Sequence, residues 1–159
     1  MERIPMKKLV LLATGLAFAF CLPRDVLSQN KVTRSVTNDA IEKILQSLEV
    51  KFQKGERKDK DNNVMYFDFT RGNSQVRLLN YGTDLWLEST FDKKLKLEDV
   101  NRWNAEAKFS RLVLVEEKDK TVLSLESQLD CLGGVTDAMI KQYINRFDEE
   151  AKKFAKFAK

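Results

Sequence analysis

The stretch from Val64 to Phe91 constrains this chain most. It holds three strand-like runs, VMYFDFT from Val64, SQVRLLNY from Ser74 and DLWLESTF from Asp84, parted only by Arg71-Gly72-Asn73 and Gly82-Thr83. Joints that short connect antiparallel neighbours and leave no room for the crossover a parallel pair requires. The predicted unit is a three-stranded antiparallel meander, and the rest of the chain has to pack around it.

Upstream, Thr37 and Asn38 offer capping side chains to a helix whose stripe is Ile41, Ile44, Leu45, Leu48 and Phe52. The stretch QKGERKDKDNN, residues 53 to 63, has no apolar residue and is predicted to be a solvated loop. Asp59, Asp61 and Asn63 alternate as in a calcium loop, but Val64 stands at that pattern's glycine position and Thr70 at its closing glutamate, so no metal site is expected. Downstream, KLEDVNRWNAEAK puts Leu97, Val100, Trp103, Asn104 and Ala107 on one side of a short helix. A hairpin of FSRLVLVEE and TVLSLESQLD follows, joined by Lys118-Asp119-Lys120. In its second strand Leu123, Leu125 and Leu129 share one face, and Ser124, Glu126, Gln128 and Asp130 the other. Gly133-Gly134 breaks the chain before a helix capped by Thr136, with Ile140, Ile144, Phe147, Ala151, Phe154 and Ala158 in one stripe. The predicted order, α-β-β-β-α-β-β-α, is an α+β fold in which helices cover one face of a five-stranded, mainly antiparallel sheet.

The 159 residues, 43% hydrophobic and 33% charged, suffice for one core. There is no histidine, which removes imidazole ligands and every Ser-His or Cys-His mechanism. Residues 1 to 28 place Arg3, Lys7 and Lys8 before an apolar run from Leu9 to Leu22, ended by Pro23, Arg24 and Asp25. That is the layout of a secretory signal, too short to span a bilayer, with cleavage expected after Ser28 and an exported, periplasmic product. A lipid on Cys21 is the weaker reading, because Phe20 stands where a small residue is required. The expected division is a leader over 1–28, a polar lead over 29–36 and a domain over 37–159. Without the leader the charge falls to 24 basic against 22 acidic residues, a net of +2, so composition gives no support to nucleic-acid binding. Cys131 is then the lone cysteine and is expected to be buried.

Val100-Asn101-Arg102-Trp103-Asn104, then Phe109 and Arg111, a hairpin, and Leu132-Gly133-Gly134-Val135 opening the last helix carry a family likeness. The chain resembles the bacterial YbjN family of sensory transduction regulators, most strongly from about Leu97 to Phe154. The resemblance implies a fold similar to type III secretion chaperones and no enzymatic activity or catalytic residue.

Asn101 and Asn104 flank Trp103. An amide can bind a ligand, but tying the helix to neighbouring backbone is the stronger expectation, with Trp103 in the core or an interface. Gly133-Gly134 lacks phosphate-loop spacing and is expected to serve a tight turn into the helix. Arg111 is expected in a rim salt bridge, and the adjacent pairs Glu116-Glu117 and Glu149-Glu150 are expected to be solvated. The meander is more informative. With Phe67, Phe69, Val76, Leu78, Leu85 and Leu87 inward, the outward set holds Tyr66, Arg77, Leu79, Tyr81 and Trp86. That aromatic face is the candidate binding surface for a protein or peptide, and a homodimer is expected. No cofactor is expected. The competing functions are a histidine-free enzyme using Cys131 or carboxylates, and a membrane-surface adaptor using AKKFAKFAK at the C-terminus.

Overall fold

The computed structural model describes residues 31–60, 62–117 and 120–158. The leader, Cys21 and the cleavage point lie outside them, as do Asp61 and the Lys118-Asp119 turn. The elements are α1 (Asn38–Ser47), β1 (Phe52–Asp59), β2 (Asn62–Arg71), β3 (Ser74–Asn80), β4 (Asp84–Phe91), α2 (Leu97–Glu106), β5 (Arg111–Glu117), β6 (Lys120–Asp130) and α3 (Asp137–Phe157). Every strand pair is antiparallel, and the sheet runs β1-β2-β3-β4-β6-β5. The fold is α+β as expected, with six strands rather than five.

The additional strand is β1, formed by most of the stretch expected to be a loop. Phe52 accordingly belongs to β1, and α1 stops at Ser47. As an edge strand β1 borders one neighbour, and its charges discourage pairing with foreign strands. Its anchors are Phe52, whose ring meets Phe67 edge-on at 5.7 Å, and Lys54, 2.7 Å from Glu42 of α1.

The helices form where the caps were expected. The Thr37 hydroxyl accepts from the Ala40 N–H at 3.2 Å, and Thr136 accepts from Met139 N–H at 3.3 Å. One apolar cluster joins Ile41, Ile44 and Leu45 of α1, Val100 and Trp103 of α2, and Ile140, Ile144, Phe147, Ala151 and Phe154 of α3 to the inward strand residues Phe67, Phe69, Val76, Leu78, Leu85, Leu87, Leu123 and Leu125. The lead is less free than its polarity suggested. Thr33 and Val135 exchange two backbone hydrogen bonds of 2.8 Å, and Val36 is buried. The buried Asn80 amide holds this corner, donating to Val36 O at 3.0 Å and Asn38 Oδ1 at 2.7 Å while accepting from Gly82 N–H at 2.9 Å.

Candidate functional site

Because the helices gather on one side, strand alternation delivers every second residue to the other. Pairing register aligns these residues into two rows across the sheet. One row runs Gly55, Tyr66, Leu79, Trp86, Gln128. The next runs Gln53, Asp68, Arg77, Glu88, Glu126, Arg111 through all six strands. Tyr66, Arg77, Leu79 and Trp86 are thus brought together. Tyr81 lies just beyond β3, donating its hydroxyl to Asp59 Oδ2 at 3.0 Å and lying 3.4 Å from an Arg57 guanidinium nitrogen. Among the described residues, none of these outward side chains joins the helix-packed core.

The face is polar at its surface and apolar beneath. Leu79 is fully buried although it points away from the helices, Tyr66 and Trp86 are half-buried, and only Tyr81 is exposed, at 38%. Guanidinium groups stack on the rings of this aromatic face. Arg77 lies 4.3 Å from the Tyr66 ring centre and Arg111 lies 5.1 Å from that of Trp86. The Tyr66 ring in turn extends across β1. A Cβ on Gly55 would fall 2.5 Å from the Tyr66 hydroxyl oxygen, so only glycine leaves room for this ring.

Carboxylates fix the guanidinium groups. Arg77 donates to both oxygens of Asp68 at 2.7 and 2.8 Å, a two-point pairing that sets the plane of its stack on Tyr66. Glu88 lies 3.6 Å from Arg57 and 3.8 Å from Arg77, and Arg111 lies 3.3 Å from Glu126. Burial pushes the Glu88 carboxyl above the usual range, Arg57 and Arg77 pull it back, and neighbouring Glu126 adds to the rise. The result is a near-neutral lattice of alternating charge with flat rings set into it. A shallow groove of about 320 Å³ lies on it, lined by Asp68, Gln75, Arg77, Glu88 and Thr90 among others.

Asp68 and Glu88 were recoverable from alternation, since Asp68 sits between inward Phe67 and Phe69, and Glu88 between inward Leu87 and Ser89. Arg57 was not, because it lies in the unrecognised β1; alternation did put Glu126 on the polar face of its strand, but its place beside Glu88 depends on the non-sequential β4–β6 pairing.

The remaining candidates fall elsewhere. Trp103 is buried against Phe154 and Phe157, each 5.4 Å away edge-on. Asn101 is exposed. Asn104 bridges to β5, accepting from Leu112 N–H at 2.7 Å and donating to Leu112 O at 3.0 Å. Gly133 is open, whereas Gly134 has φ +96° and a Cβ there would meet Val32 at 2.7 Å, so its place in the turn requires glycine. Glu149 is exposed, but Glu150 is not solvated as expected. It is buried, with Ser110 and Lys153 each 3.0 Å from its carboxylate.

Cys131 is fully buried, and burial, Asp84 and Asp130 raise its thiol above the ordinary value, which keeps it protonated and a poor nucleophile. Among the described residues no three Cys, Asp or Glu side chains gather into a metal-holding group, and no helix is long and apolar enough to cross a membrane.

Residues 37–158 match the model of the family YbjN, described as "Putative bacterial sensory transduction regulator". The chain belongs to the YbjN family. The crystal structure of YbjN, "a putative transcription regulator from E. coli", has the same fold with a TM-score of 0.61 and 12% sequence identity, covering 76% of this chain and 89% of that one. No curated protein sequence matches the chain. The family is thus described as one of regulators.

Proposed function

We propose that this YbjN family member is an exported, non-enzymatic module that binds a protein or peptide on the open sheet face. The observation that carries the reading is the pair of cross-strand rows. A continuous face of Tyr66, Leu79, Trp86, Arg77 and their carboxylate partners lies on the side of the sheet that the described helices leave free. Stacked guanidinium groups and aromatic rings are the residue types that dominate protein interfaces, because each combines a large flat apolar area with fixed hydrogen-bond directions. A regulator needs such a surface and no reacting group. Direct phosphate recognition is disfavoured, because Arg57, Arg77 and Arg111 are each already paired with a carboxylate.

The test is the double variant Tyr66→Ala and Trp86→Ala, used as bait in envelope extracts beside the unaltered protein. Proteins captured by the wild type are expected to be lost from the variant, while the thermal transition stays cooperative and falls by only several degrees, since both rings are half-buried. Undiminished capture by a folded variant contradicts the proposal.

A further inference from the structure

The sheet ends in two unlike edges. β1, FQKGERKD, is crowded with charge, the usual defence of an edge strand. β5, RLVLVEE, is apolar through its middle, with Leu114 and Val115 39% and 36% exposed on opposite faces. Its protection comes instead from one side chain of α2. Asn104 accepts from the N–H of Leu112 and donates to the same residue's carbonyl, at 2.7 and 3.0 Å. That donor–acceptor couple is what a neighbouring strand would present, so the amide stands in for a seventh strand at a single position.

The clasp also fixes the direction of the remaining edge groups. Backbone polar groups of alternate residues in an antiparallel strand point the same way. Since Leu112 directs both of its groups away from β6, Leu114 does so too, and the clasp does not reach it. The strand is self-complementary around this point. Antiparallel pairing of two β5 strands centred on Leu114 sets Val113 opposite Val115 and Arg111 opposite Glu117, whereas parallel pairing would align like charges. In that register Leu112 must pair with Glu116 of the second copy, whose backbone would occupy the place of the Asn104 amide.

We propose that the β5 edge is a latent pairing surface for β5 of a second copy, held shut by Asn104. The expected homodimer then takes a conditional form, separate from the outward face: the edge is closed while the amide bridges Leu112 and open once α2 releases it.

Sedimentation equilibrium of the protein as the cell produces it, beside Asn104→Ala, tests this. The folded variant is expected at twice the wild-type mass, and adding Leu114→Pro is expected to restore the wild-type mass. Proline at Leu114 removes an outward donor that the β6 ladder does not use, so the edge strand tolerates it. An unchanged mass, a doubled mass that survives Leu114→Pro, a series of higher oligomers, or a mass accounted for by a different polypeptide overturns the proposal. Amide exchange in the wild type gives a reading that does not depend on the variant's folding. Leu114 N–H is expected to exchange at least tenfold faster than Leu112 N–H, and equal protection overturns the proposal.

Discussion

Glu88 shows how the outward face balances opposing forces at one residue. Burial and Glu126 raise its carboxyl, while Arg57 and Arg77 lower it, and the rise prevails. A carboxyl whose pKa rises on folding holds its proton more tightly in the native state. Its charge therefore opposes folding above the native pKa, and that cost disappears as pH falls below the unfolded value. Glu88→Gln is accordingly expected to melt above the wild type at pH 7, with the difference shrinking toward zero as pH is lowered through the carboxylate range. Calorimetry across that range checks the sign, and an advantage that grows on acidification contradicts it. The sequence disclosed that Glu88 points outward, because Leu87 and Ser89 alternate with it. It did not disclose the company Glu88 keeps, since Glu126 is brought beside it by a pairing that skips β5.

Among the elements, α2 depends most on a single side chain. It is two to three turns long and lacks a side-chain cap, with only Glu98 and Asp99 to complement its N-terminal dipole. Trp103 joins it to Phe154 and Phe157 of α3, and Asn104 to β5. The Trp103 indole N–H is buried without a partner among the described residues, so the ring contributes through its apolar area rather than a hydrogen bond. Trp103→Phe keeps the aromatic contact and removes an unsatisfied donor, and it is expected to cost less than about 1.5 kcal/mol in denaturant unfolding. Trp103→Ala is expected to cost about 3–5 kcal/mol. Equal losses would place the value of Trp103 in its N–H instead. The meander, both capped helices and the Trp103 stripe were legible because each announces itself locally, by alternation, by a capping hydroxyl or by helical spacing. β1 was not, since after Phe52 it carries no apolar residue to set a period, and its Lys, Arg and Asp residues look the same in a loop.

For the molecule as a whole, the arrangement of helices decides what the chain can do. The described helices, on one side of the sheet, bury most of the large apolar residues and leave a second side whose rings are embedded among paired charges. Sequence alternation gave the membership of that side correctly for Tyr66, Arg77, Leu79 and Trp86. Its character was not legible, because stacking of Arg77 and Arg111 on the rings and full burial of Leu79 depend on which strands become neighbours. The claim that this side is the working surface is tested most directly by photo-crosslinking in envelope preparations. A crosslinking residue is placed at Gln75 or Thr90 on the outward face, or at Gln142 or Glu149 on exposed positions of α3. Crosslinks to one partner from Gln75 and Thr90, and none from the α3 positions, are expected. Crosslinks confined to Gln142 and Glu149 would move the contact to the helical side and contradict the assignment.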